Sequence, residues 1–255
     1  MLSRRAFLTF VAAGGTAAAV VPALTSCGFL SRNVDVLLIG DSIMNQTKDF
    51  VKPRLRRLPA LDDVEVKAQA VNGSGLLTPK IYDWKTKASE LIERYEPAAV
   101  VVLFVGNYTE TDLWLAANGT YVPNDYQQLF YDEWRKQAEE LTEILRRRGA
   151  QVWWVLPPPF YGPEGQRREG LLRETYLQLA RDLPGVGLVD GRAALGGPNG
   201  EFEWNLPSID NGEIVTVRQG DSLHLTPDGG KRMASAIADA IAPYLIELRR
   251  SRANA

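Results

Sequence analysis

The 255-residue chain has one cysteine and one histidine. A lone cysteine excludes an intramolecular disulfide and a zinc cluster built on thiolates. A lone histidine argues against a histidine-based metal site as well. The formal net charge is −2, so the chain lacks the basic excess of a nucleic-acid-binding protein. Its one dense basic run, Arg146-Arg147-Arg148, reads as the solvated end of a helix, where cations suit the dipole. Beyond the first 26 residues internal repeats and low-complexity segments are absent, and the chain has no Walker-type lysine motif. Gly73-Ser74-Gly75 is too short for a dinucleotide loop, because Thr78 stands where the third glycine belongs. These absences point to no cofactor and no metal, so any chemistry falls to ordinary side chains.

The N-terminal residues read as an address. Ser3-Arg4-Arg5-Ala6-Phe7-Leu8 pairs two arginines ahead of a mildly apolar stretch from Phe7 to Leu24, and resembles a twin-arginine export signal. Leu24-Thr25-Ser26-Cys27 resembles a lipobox, which makes Cys27 the acylated first residue of the mature chain. The alternative is a plain membrane-spanning anchor, which Gly14, Gly15 and Pro22 weaken. The expected organisation is a signal peptide over 1–26, a tether over 27–33, one domain over 34–250 and a tail over 251–255. The expected location is the outer face of the cytoplasmic membrane, held through Cys27.

Five apolar runs, each short and bounded by Gly, Pro or polar residues, predict buried strands: Val34–Ile39, Val64–Ala70, Ala99–Val105, Gln151–Leu156 and Val186–Asp190. Amphipathic patterns between them predict helices over Lys85–Tyr95, Gln127–Arg148, Gln166–Asp182 and Pro227–Arg250. Such alternation implies a parallel sheet covered on both faces, with ligands bound beyond the carboxyl ends of its strands. Two long stretches look irregular. Tyr108–Asp125 carries Trp114, Asn118 and Tyr121, and Gly196–Gly220 carries Phe202, Trp204 and Pro207. Long loops in such domains are often functional, although their aromatics can equally cap the core.

The polar motifs gather at the predicted ligand edge. Gly40-Asp41-Ser42 follows the first strand, Gly73-Ser74-Gly75 the second, and Gly106-Asn107 the third. A serine hydroxyl needs a base before it acts as a nucleophile, and His224 is the only imidazole in the chain. Asp221, three residues earlier, can take the Nδ1 proton and leave Nε2 for Ser42. Thr226 and Pro227 look like the N-cap and first turn of the last helix. Backbone amides and an Asn side chain are common oxyanion donors, which suits Gly75 and Asn107. Each residue also has a plainer explanation. Ser42 reads equally as a helix cap, Asp221–His224 as a structural hydrogen bond, Asn72-Gly73 as a turn, and Asn107 as a cap.

Ser42 in Gly-Asp-Ser, Gly75, Asn107 and His224 in Asp-x-x-His, in that order, resemble the four blocks of the SGNH (GDSL) hydrolases. The resemblance spans nearly all of the mature domain. It implies a flavodoxin-like three-layer α/β/α sandwich with a five-stranded parallel sheet. It implies Ser42 as nucleophile, His224 as base and Asp221 as its orienter, with an oxyanion hole of the Ser42 and Gly75 amides and the Asn107 side chain. Gly73 competes for the Gly75 role. The third block departs from the family pattern, because Asn107 directly follows Gly106 and Tyr108 replaces the usual Asp. Ser74-Gly75-Leu76, Tyr82-Asp83-Trp84, Trp153–Pro158 and Asn211-Gly212-Glu213 are similar to a bacterial subgroup of these hydrolases without assigned function. The implied activity is hydrolysis of O-acyl esters, with acetyl esters of envelope glycan as the expected substrate. Transfer of the acyl group to a sugar hydroxyl and a non-catalytic envelope-binding role are the alternatives.

Overall fold

The structure, a computed structural model, describes residues 35–107, 114–115, 121–122 and 128–254. The export segment, Cys27 and most of the Tyr108–Asp125 stretch lie outside the described residues. In chain order the elements are β1 (Val36–Gly40), α1 (Ser42–Leu55), a 3₁₀ turn (Pro59–Leu61), β2 (Val66–Ala70), α2 (Trp84–Tyr95), β3 (Ala99–Leu103), β4 (Trp114–Leu115) and β5 (Tyr121–Val122). They continue with α3 (Gln128–Leu145), β6 (Gln151–Leu156), α4 (Gly162–Asp182), β7 (Val186–Asp190), α5 (Gly191–Leu195), β8 (Asn205–Pro207), β9 (Ile214–Thr216) and α6 (Pro227–Ala253).

Five strands form one sheet in the order β2-β1-β3-β6-β7, every neighbouring pair parallel. This is the flavodoxin-like order, in which the chain starts in the middle and reverses direction between β1 and β3. The sequence dictates the layering. Along β1 alternate residues face opposite sides, so Val36 and Leu38 join the core under α1 and α6, while Leu37 and Ile39 join the core under α2, α3 and α4. All four are fully buried. Each such side chain contributes roughly 1.5–3 kcal/mol by leaving water, and the continuous apolar run reflects a strand covered on both faces.

The boundaries differ from the sequence expectation where tertiary contacts override pattern. β3 ends at Leu103 rather than Val105, because the Val105 amide donates to the Asp41 side chain at 2.7 Å and leaves the ladder. β2 begins at Val66 rather than Val64, whose amide closes a turn on Leu61. α3 stops at Leu145, ahead of the exposed arginine run. α4 starts at Gly162, earlier than expected, with Pro163 in its first turn. The Gly196–Gly220 stretch is not wholly irregular. β8 and β9 pair antiparallel there, in strands too short to show a period in the sequence. Likewise β4 and β5 pair antiparallel within the other stretch.

Candidate active site

β1 delivers the chain to the edge of the sheet at Gly40. A side chain on Gly40 would place its Cβ 2.1 Å from the Leu103 carbonyl and 2.7 Å from Met44, so only glycine lets the strand turn directly into α1. Asp41 then caps the helix, its Oδ1 accepting from the Ile43 amide at 3.0 Å. The cap of this helix is therefore Asp41, and Ser42 is its first residue. Ser42 is buried, at a helix N-terminus whose first-turn amides have no intrahelical acceptor.

The second half of the site comes from the loop before α6. Thr226 caps that helix through the Gly229 amide, with Pro227 in the first turn. Asp221 Oδ1 accepts from the amides of Leu223 and His224 at 3.0 and 2.9 Å. Its Oδ2 lies 2.6 Å from His224 Nδ1, and His224 Nε2 lies 2.9 Å from Ser42 Oγ. A carboxylate at Nδ1 places the ring proton there and leaves Nε2 to accept from the serine hydroxyl. Burial pushes the Asp221 carboxyl up, but hydrogen bonds from the His224 ring and from the His224 and Leu223 amides outweigh it and hold it below its ordinary value. Gln46 on α1 accepts from the Leu225 amide at 2.8 Å and ties this loop to the helix bearing Ser42.

Asn107 and Gly75 stand together on the other side. A Cβ built on Gly75 would lie 3.1 Å from the Asn107 carbonyl and 3.3 Å from the Trp134 ring. The Asn107 side-chain amide donates to the Ser74 carbonyl at 2.8 Å and to Asp41 Oδ2 at 3.2 Å, which engages both its hydrogens. The Gly75 amide donates to Thr78 Oγ1 at 2.7 Å, and that hydroxyl donates back to the Gly75 carbonyl. Two of the three expected oxyanion donors, Gly75 and Asn107, thus rest on protein acceptors. Gly73 turns the chain at φ +71° with open space around it, as a simple turn requires.

Asp41 is the residue that sequence reasoning missed. Fully buried, it collects the amides of Ile43 and Val105 and the Asn107 side chain, and so joins the β1–α1 turn to the end of β3. Burial pushes its carboxyl up to about 7, against the pull of the Val105 and Ile43 amides and of His224. The signal available in the sequence was Gly-Asp-Ser itself, together with Tyr108 in place of an aspartate after Asn107. A buried aromatic network supports this side from below. Trp84 donates to Ser74 Oγ at 2.9 Å, Trp134 donates to the Tyr176 hydroxyl, and that hydroxyl donates to the Phe104 carbonyl at 3.0 Å. Asp83 caps α2 and presents Trp84.

A cavity of about 320 Å³ opens beside both halves of the site, against Asn107 on one side and Leu223 on the other, with Phe160, Tyr161 and Leu172 in its walls. Among the described residues, no group of three or more His, Cys, Asp or Glu side chains is placed to hold a metal ion, and no helix is long and apolar enough to cross a membrane. A carboxylate, an imidazole and a hydroxyl in hydrogen-bonded series can move the serine proton to Nε2 and make Oγ a nucleophile.

The sheet order, with helices on both faces, gives the chain an α/β fold like that of solved esterases and hydrolases. Solved structures of this fold resemble the chain over most of its length. The psychrotrophic esterase EstA from Pseudoalteromonas sp. is 16% identical, with a TM-score of 0.53 over 83% of this chain and 98% of its own. The acetyl xylan esterase AlAXEase is 17% identical, with a TM-score of 0.55 over 81% and 98%. A GDSL-like lipase from Bacteroides thetaiotaomicron is 16% identical, with a TM-score of 0.51 over 82% and 88%. By sequence, the chain belongs to the family described as "Protein of unknown function (DUF459)", whose model matches residues 35–240. No curated protein sequence matches it significantly.

Proposed function

We propose that the protein is a serine ester hydrolase acting through an acyl-enzyme on Ser42. The observation that carries this reading is the series Asp221 Oδ2–His224 Nδ1 at 2.6 Å and His224 Nε2–Ser42 Oγ at 2.9 Å. His224 takes the hydroxyl proton as Oγ attacks the ester carbonyl, and Asp221 holds the ring and stabilises the imidazolium. The oxyanion draws on the Ser42 amide, the Gly75 amide and the Asn107 side chain, the last two exchanging their resting acceptors for the developing charge. His224 then protonates the departing alkoxide. Water, activated by the same imidazole, releases the acid.

The substrate class in this proposal is an O-acyl ester of a carbohydrate, with acetyl as the acyl group, in the cell envelope. Fold neighbours that are themselves named as an esterase and an acetyl xylan esterase support ester chemistry on such a substrate. The paired arginines at Arg4-Arg5 and the Leu24–Cys27 motif support export and anchoring through Cys27. The test is hydrolysis of a panel of aryl acetates and O-acetylated glycans by the wild type and by Ser42→Ala. Acetate release by the wild type alone supports the proposal, and equal release by both rejects it.

A further inference from the structure

Arg218 lies three residues before Asp221 and is only 1% exposed. Its Nη1 donates to the Leu223 carbonyl at 3.0 Å, inside the turn between Asp221 and His224. Its Nη2 donates to the Pro159 carbonyl at 2.9 Å, on the segment that leads into α4. The guanidinium sits 5.4 Å from the centre of the Phe202 ring, and Phe202 packs edge-on against Tyr161 at 5.3 Å and Trp204 at 5.2 Å. Tyr161 and Leu223 both line the cavity beside Asn107. The guanidinium therefore bridges the histidine turn and the cavity wall.

The placement is a poor one for stability alone. Among the described residues Arg218 forms no ion pair, and its Nε has no hydrogen-bond partner. Burial pulls the guanidinium down to about 10, with the Asp221 charge pulling it back up, so it remains a cation at neutral pH. A buried cation without a contacting carboxylate is unfavourable, and an apolar side chain of similar volume fills such a space without that penalty. A guanidinium offers what an apolar side chain lacks, a rigid planar fork that reaches two acceptors on separate segments. The turn it grips needs holding. Ser222 sits at φ +63°, in the left-handed region that a non-glycine residue adopts at a cost. Gln219 contributes from the same side, its amide donating to the His224 carbonyl and its side chain to the Leu225 carbonyl, each at 2.7 Å.

We propose that Arg218 is a positioning residue for His224, its fork fixing the Asp221–His224 turn against Pro159 so that Nε2 stays aligned on Ser42 Oγ. The proposal rests on the serine-hydrolase reading above. Misplacement by about 1 Å from a change outside the reacting groups costs on the order of 10² in rate, and the loss falls on kcat because Nε2 acts in the chemical step.

The test compares full-length wild type, Arg218→Met and Arg218→Lys on p-nitrophenyl acetate, with a fluorophosphonate probe run to completion to count competent sites. Per labelled site, Arg218→Met is expected to lose about 10² in kcat with KM nearly unchanged, and its labelling rate to fall in step. Arg218→Lys, which keeps the charge and can reach one carbonyl, is expected to recover part of both. If Arg218→Met does not fold, Arg218→Lys decides on the same readouts. A wild-type kcat per site with only a lowered melting temperature overturns the proposal, as does a loss confined to KM. Unaffected Arg218 variants alongside a wild type labelled on Ser42 overturn this inference alone. An unlabelled wild type with an active Ser42→Ala overturns the hydrolase reading along with it.

Discussion

His224 Nε2 meets Ser42 Oγ at 2.9 Å across 182 positions of sequence. The contact exists because β1 and the entry to α6 end at the same edge of the sheet, and because Gln46 on α1 holds the Leu225 amide. A base and a nucleophile joined this way act as a unit. Ser42→Ala and His224→Ala are expected to lose comparable activity, with the double variant little worse than either. Asp221→Asn should lower kcat by as much as about 10⁴ by stabilising the wrong ring tautomer. Steady-state kinetics on one aryl ester checks both. Additive losses would show that the two residues do not share one step.

Asn107 should matter more to the transition state than to binding. Asn107→Ala is expected to lower kcat by about 10² to 10³ with little change in KM, because the oxyanion forms only after attack. Gly75→Ala should give a similar split while the protein stays folded, since its Cβ would press on the Asn107 carbonyl at 3.1 Å. A rise in KM at constant kcat would place these residues in substrate binding instead.

Asp41 makes stability depend on pH in a defined direction. Its carboxyl is raised to about 7 in the folded protein, above its ordinary value of 3.8, so the folded state holds that proton more tightly. The resulting stability is present below about pH 4 and is lost as pH rises through 7. Asp41→Asn keeps a capping residue but does not titrate. The stability of the wild type relative to Asp41→Asn should therefore fall between those limits, by at most about 1.4 kcal/mol per pH unit. Urea unfolding of both proteins across the range measures this difference, and a flat difference contradicts it.

The sheet was legible because its strands are apolar runs without interruption, as Val36–Ile39 and Ala99–Val102 are, and because strand and helix patterns alternate. That Ser42, Asp221 and His224 would meet at one edge was legible because each stands beside a strand end or a helix cap. What escaped depends on remote backbone. Asp41 reads as a spacer until the Val105 amide arrives from another strand. Arg218 stands in no sequence motif, and its place shows only where Pro159 and Phe202 close over it. The β8–β9 hairpin escaped because three residues are too few to display alternation.

The Leu24-Thr25-Ser26-Cys27 motif carries its own prediction. Cys27→Ala should leave the precursor unprocessed or release the protein from the membrane fraction. Unchanged processing and fractionation would exclude lipidation at this residue.

Catalysis through an acyl-enzyme requires Ser42 to act as a nucleophile and become acylated. The most direct measurement is intact and peptide mass spectrometry after incubation with a fluorophosphonate probe. A single covalent adduct is expected on the peptide bearing Ser42, abolished by Ser42→Ala and slowed by His224→Ala. An absence of adduct in a folded protein that hydrolyses esters, or an adduct that persists in Ser42→Ala, would contradict it.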